Sequence, residues 1–311
     1  MVEGFAASLA RPFDPDNLSA LRERFATISG PPEVAAGITV TDEDAAGVPV
    51  RLYRPQGEGL RALHVHFHGG GFVLGSALSG QFDGMLSRRA AGSGALFASV
   101  DYRLAPEYRF PAGVEDSYAA LVALVGQAGR LGISPEAVSV GGVSSGGNFA
   151  AVVALMARDR GGPRLILQLL EIAGADLTKS SCAWRTFKPG HDTTRERDLA
   201  MVDLYLPDIP SRAHPYASPL FAPDLSGLPP AYVMNAEFDP RRDECEAYVA
   251  RLRDAGVEAV ARNLTGHVHG SMLIRDWAPA QSWEAEAICV LAEAGESALA
   301  GRSMILPTLS D

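Results

Sequence analysis

The sequence predicts an α/β protein: a mainly parallel sheet covered by helices on both faces. Two observations carry this. Short apolar runs such as ALFASVDYR (95–103) and AVSVGG (137–142) lack polar alternation, as strands buried on both sides do. They alternate with segments of helical periodicity, the pattern of βαβ units. With 311 residues and 47% hydrophobic content, the chain can bury a large core.

The elements follow in order. Residues 15–29 place Leu18, Leu21, Phe25 and Ile28 on one helical stripe, with Asp16 available as N-cap. PPEVAAGITV (31–40) reads as turn and connector. Residues 48–54 alternate and end at Pro55, which suits a strand, and QGEG (56–59) then reads as a hairpin turn. Residues 61–67 form the next strand, ended by a glycine run. A helix over 85–91, a strand over 95–103 and a helix over 111–127, opened by Pro111, come next. A strand over 137–142, a helix over 146–160 and an apolar run over 164–174 follow. Residues 178–223 are irregular, with one helix near 196–206. The chain closes with strand 231–237, helix 242–256, strand 258–264 and helix 279–299. The N-terminal segment and residues 178–223 break the alternation and are candidates for a cap. The expected division is 1–45 and 178–223 for the cap, with 46–177 and 224–311 as the core.

The formal charge of -10 argues against nucleic acid and anionic membrane as partners, since both would be repelled. Three scattered cysteines without a C-x-x-C pair suit a reducing compartment rather than a disulfide framework. The N-terminus lacks a signal-peptide pattern, and no apolar run reaches the ~18–20 residues of a membrane span. A soluble cytoplasmic protein is expected. Lys179 and Lys188 are the only lysines; this Arg-rich, Ala-rich usage suits a GC-rich bacterial genome.

The most informative segment is SVGGVSSGGNFA (139–150). It holds G-x-S-x-G as Gly142-Val143-Ser144-Ser145-Gly146, between an expected strand and an expected helix. Such a turn is so tight that bulky residues two before and two after the serine would collide. Ser144 is the candidate nucleophile, because the frame centred on Ser145 would need glycine at Val143. Ser145 would offer its backbone N–H to a developing oxyanion.

A serine needs a base, and the base an orienting acid. In α/β enzymes with this motif the acid and then the base follow the serine in the chain. Four histidines follow Ser144: His191, His214, His267 and His269. The first two fall in the expected cap, whereas LTGHVHGSM places His267 and His269 just after a strand. Asp239, in AEFDPRRDE, is the acid candidate; Asp243 suits the N-terminal turn of the next helix better.

HVHFHGGGF (64–72) admits two readings. His64, His66 and His68 alternate on one side of a strand and could ligate a metal. Such a site needs a further ligand or an open position, and no downstream carboxylate or histidine is brought near by this topology. The histidines therefore read as packed structural residues, and no metal is expected. The glycines read instead as bare backbone for close approach to an anion.

Together HGGGF, VDYRLAPEYRFPAGVED, GGVSSGGN, LPPAYVMNAEFDPRRDECEAY and HVHGS resemble the hormone-sensitive-lipase-like branch of the α/β-hydrolase esterases, over residues 50–295. The resemblance implies an α/β-hydrolase fold: eight mostly parallel strands, with a cap from the N-terminal helices and the insertion before the acid strand. It implies Ser144, Asp239 and His269 as the triad. His269 is preferred to His267 because the family pattern places histidine directly before glycine, here Gly270. It further implies Gly70, Gly71 and Ser145 as the oxyanion hole, His68 as a brace of the loop, and Asp101 and Arg103 as structural.

The chain departs from the family pattern at Val143 and Ser145, usually acidic and Ala. It departs again at Ile172-Ala173, usually Tyr-Pro, beside an unusual Glu171. The resulting expectation is a cofactor-free serine carboxylesterase acting on short-chain acyl esters. Its partner is a small-molecule ester, and homodimers are common among similar proteins. The alternatives are a natural-product tailoring enzyme (deacetylase, lactonase or lyase) and a non-catalytic small-molecule binding protein.

Overall fold

A computed structural model describes residues 14, 17–27, 33–186 and 194–307. Among these, eight strands build one sheet: β1 (Ile38–Ala45), β2 (Val48–Pro55), β3 (Arg61–Phe67), β4 (Leu96–Val100), β5 (Ile133–Val143), β6 (Leu167–Glu171), β7 (Ala231–Phe238) and β8 (Ala259–Val268). Their order across the sheet is β1-β2-β4-β3-β5-β6-β7-β8. β2 runs antiparallel to both β1 and β4, and the remaining pairs are parallel. The helices are α1 (Leu18–Ala26), α2 (Asp83–Ser93), α3 (Ala112–Gly126), α4 (Ala128–Leu131), α5 (Ser145–Asp159), α6 (Ala183–Thr186), α7 (Arg195–Tyr205), α8 (Arg242–Asp254) and α9 (Ala278–Leu299).

Both faces of the sheet are buried, which is why the central strands show no polar alternation. On one face Val65, Phe67 and Val233 pack in a cluster with Leu121 of α3, Val152 of α5 and Val249 of α8. On the other, Phe97, Leu169 and Met234 share a cluster with Leu86 of α2 and Trp283 and Leu291 of α9. β3 lies between β4 and β5, so the chain winds first to one side of it and then to the other. That reversal leaves a crevice at the carboxyl ends of β3 and β5, the usual place for a ligand in an open α/β sheet.

Several expectations need correction. Residues 31–40 are not all connector: β1 begins at Ile38, so residues 38–45 belong to the sheet rather than to an N-terminal cap segment. Its sequence ITVTDEDA is polar because β1 is an edge strand with much of its surface in water. The hairpin turn is Ala46-Gly47, with φ of 59° and 84°, and joins β1 to β2. QGEG makes no hairpin, since β4 separates β2 from β3. Within the apolar run over 164–174 only the five residues of β6 are strand. The helix expected over 15–29 is seen as α1; residues 15–16 and 28–29 lie outside the described residues, as do residues 1–13 and 187–193, with His191. Among the described residues no helix is long and apolar enough to cross a membrane.

Candidate active site

Ser144 stands between the end of β5 and the start of α5, with φ 58° and ψ -117°. This conformation is strained for a residue with a Cβ, and such strain is found where geometry serves a site. The flanking glycines permit it. A methyl on Gly142 would lie 2.5 Å from the Gly146 carbonyl and from Phe67 O, and one on Gly146 would overlap Phe67 O. The collision expected from the sequence is therefore real, and it also involves the end of β3. The Ser144 N–H donates to Glu171 O at 2.8 Å, tying the turn to β6.

His269 follows β8 directly, and Asp239 follows β7. The structure brings both to Ser144. His269 Nε2 lies 3.1 Å from Ser144 Oγ, and His269 Nδ1 lies 2.6 Å from Asp239 Oδ2. The second Asp239 oxygen accepts from the Arg241 backbone N–H at 3.0 Å. Arg241 Nη1 is 3.2 Å from His269 Nδ1. Because Nδ1 carries its hydrogen toward Asp239, that approach sets two donors side by side and is not a hydrogen bond.

The other candidates lie elsewhere. His267 is buried, its Nδ1 2.9 Å from Ser271 Oγ and its ring against Trp277 and Trp283. Asp243 is in the first turn of α8 and accepts from the Ala183 N–H at 3.2 Å. His214 accepts from the Tyr216 N–H at 3.0 Å and packs on Phe110.

Asp239 is 1% exposed. Burial alone would raise its carboxyl, but His269 and Arg241 outweigh burial and hold it at about 2. A carboxyl depressed in the folded state contributes stability that is complete above its unfolded value and lost as pH falls through the folded one. For Asp239 that window runs from about pH 4 down to about pH 2. Asp239→Asn is expected to flatten the fall in unfolding free energy over this window, measured by urea titration at successive pH values. An unchanged slope would refute it.

The loop after β3 crosses the same crevice. A methyl on Gly69 would sit 3.0 Å from Val143 O, so the loop lies directly against the serine turn. Gly70 and Gly71 have φ of 135° and 62°. A methyl on Gly70 would overlap Leu74 O, and one on Gly71 would overlap the Met201 sulfur. Neither glycine N–H donates a hydrogen bond among the described residues. His68 is buried beneath them: its Nδ1 lies 2.9 Å from Gly69 O, Tyr102 OH donates to its carbonyl at 2.6 Å, and Tyr102 stacks on its ring at 4.2 Å. His64 and His66 are buried too, and burial pushes both imidazoles well below their ordinary range, toward the neutral form. His64 Nδ1 lies 2.9 Å from Ser139 Oγ.

A cavity of about 290 Å³ opens beside Ser144. Gly71, Phe72, Leu177, Met201 and Val202 line it, together with three charged residues, Lys179, Asp198 and Arg241. A larger recess of about 660 Å³ between α2 and α9 reaches none of Ser144, Asp239 and His269, so it is not this site despite its size. The charged wall was not foreseen. Arg241 lies in the AEFDPRRDE stretch, but Lys179 and Asp198 lie in the irregular 178–223 segment, where no spacing ties them to it.

Residues 64–273 match the model of a family described as having the alpha/beta hydrolase fold. Carboxylesterase NlhH of Mycobacterium tuberculosis is 38% identical over 269 residues, 82% of either chain. An arylesterase of Saccharolobus solfataricus is 38% identical over 225 residues, 71% of this chain and 72% of that one. The solved esterase of Pyrobaculum calidifontis superposes with a TM-score of 0.84 at 36% identity, over 90% of this chain and 94% of the other. The serine turn, the glycine loop and the two residues beyond β7 and β8 all fall within the matched region, and the chain belongs to the α/β-hydrolase family, in its hormone-sensitive-lipase-like branch of carboxylic ester hydrolases.

Proposed function

We propose that the protein hydrolyses esters of short-chain acids through an acyl-enzyme on Ser144. The observation that carries this is the unbroken chain from Ser144 Oγ to His269 Nε2, and from Nδ1 to Asp239. With Nδ1–H held by Asp239, Nε2 keeps its lone pair for the Ser144 proton. Ser144 Oγ attacks the ester carbonyl as that proton moves to Nε2. The oxyanion is received by the N–H groups of Gly70, Gly71 and Ser145. The first two have no competing acceptor, and the third is in the first turn of α5, where N–H groups lack intrahelical partners. His269 then passes the proton to the leaving alcohol. Water, activated by the same imidazole, releases the acid and restores Ser144. His68 braces the loop that carries the glycines.

The recess beside Ser144, walled by Phe72, Leu177, Met201 and Val202, is the place for the acyl chain in this reading. In this reading α1 and residues 178–223 act as the cap. Met201 and Val202 of α7 line the cavity, Phe72 stacks on Tyr205 of α7 at 4.2 Å, and Arg22 of α1 donates to Val73 O and Ala105 O. A fluorophosphonate probe is expected to label the protein once, and peptide mapping should find the adduct on Ser144. Labelling at another residue, or none with the ester still turned over, would overturn the mechanism. An acyl series on p-nitrophenyl esters should decline beyond short chains.

A further inference from the structure

Lys179, Asp198 and Arg241, on the cavity wall beside Ser144, are 2%, 8% and 7% exposed. Ester hydrolysis as described gives Lys179 and Asp198 no task, and buried charge is tolerated only where it is paired. Arg241 Nη2 holds both Asp198 oxygens, at 2.5 and 2.6 Å. Lys179 Nζ lies 3.2 Å from the same carboxylate. Two cations thus share one carboxylate of the wall.

The other acids nearby are engaged elsewhere or disfavoured as anions. Asp239 is 3.5 Å from Arg241 but faces His269 at 2.6 Å. Asp176 accepts from the backbone and hydroxyl groups of Thr178 and Ser180. Glu244 is 3.5 Å from Lys179, but burial pushes its carboxyl up, toward the neutral form, and its other oxygen accepts from the Asp176 N–H at 3.2 Å. The Trp184 ring is 4.7 Å from Lys179 Nζ and 5.2 Å from Arg241 Cζ, and its face fixes both cations in place.

The lining favours the acyl side of the reaction over the alcohol side. His269 Nε2 must face the leaving alcohol, and no atom of His269 lines this cavity. An alkyl terminus seated there would offer the buried cations no hydrogen bond, whereas an oxygen acceptor would supply one.

We propose, on the basis of the esterase reading above, that this cavity selects a short acyl group bearing an oxygen acceptor, a hydroxyl or a carboxylate, and that Lys179 receives it. The test is kcat/KM by pH-stat for ethyl acetate, ethyl butyrate, ethyl 3-hydroxybutyrate and monoethyl succinate. At least one oxygenated ester is expected to exceed ethyl butyrate by about tenfold, the worth of one hydrogen bond to a charged group. The better of the two identifies the acceptor as neutral or anionic. Lys179→Met should bring that ratio near unity, and Lys179→Arg should restore most of it; if Lys179→Met does not fold, Lys179→Gln is read in its place. Ethyl butyrate turned over as well as both oxygenated esters would overturn the proposal, as would an unchanged ratio without the lysine. Failure on all four esters, ethyl acetate included, would instead strike the esterase reading.

Discussion

Ser144→Ala is expected to lower kcat on a short p-nitrophenyl ester by about 10⁴-fold or more, with the protein still folded. The loss is this large because no covalent intermediate can form, and what survives comes from oxyanion donors and binding alone. Folding should be unaffected, since the Ser144 hydroxyl makes one hydrogen bond, at 3.1 Å, and its partner His269 is partly open to water. Ser144→Gly should be equally inactive and more stable by about 1 kcal/mol, because glycine adopts a positive φ without strain. Kinetics beside urea unfolding read both effects. Undiminished turnover by the alanine variant would remove Ser144 from the mechanism.

Arg89→Met is expected to cost about 3–5 kcal/mol of unfolding free energy, the usual result of stranding one member of a buried ion pair. Arg89 and Glu171 are 1% and 0% exposed. Arg89 Nη1 and Nη2 meet the two Glu171 oxygens at 2.6 and 2.9 Å, and Trp283 Nε1 donates to the same carboxylate at 2.6 Å. Removing the guanidinium leaves a charge in the core with a single neutral donor. Pairing Arg89→Met with Glu171→Leu should recover much of the loss, since the uncompensated charge disappears as well. Because Glu171 O also accepts the Ser144 N–H, the single variant should lower kcat in addition. Urea unfolding of the single and double variants decides; a single variant within 1 kcal/mol of the parent would refute the ion pair's structural role.

Glu171 shows how far sequence reading reached. Its oddity at the end of an apolar run was visible, but Arg89, 82 residues earlier, was not identifiable as its partner. Pairing across that separation is set by the packing of α2 on the sheet, which no local pattern encodes. β1 was missed for a similar reason. An edge strand needs no apolar alternation, and only its hydrogen bonds to β2 reveal it. The buried strands were legible as unbroken apolar runs and the amphipathic helices by their 3.6-residue period, because burial dictates the residues themselves.

What the sequence by itself determined is the chemistry that local geometry demands. A serine between two glycines at the junction of β5 and α5 requires the tight turn, and the glycine run after β3 requires bare backbone. These are constraints over a few residues, and composition satisfies them. From residue order and chain position alone, His267 and His269 remained alternatives until the family pattern favoured one. In three dimensions only His269 faces Ser144, while His267 turns into the Trp277–Trp283 side of the core. The charged wall of the cavity was decided by tertiary structure alone. Lys179, Asp198 and Arg241 meet only because α7 and the start of α8 pack over the same crevice, and contacts between distant segments come from how whole elements bury their faces.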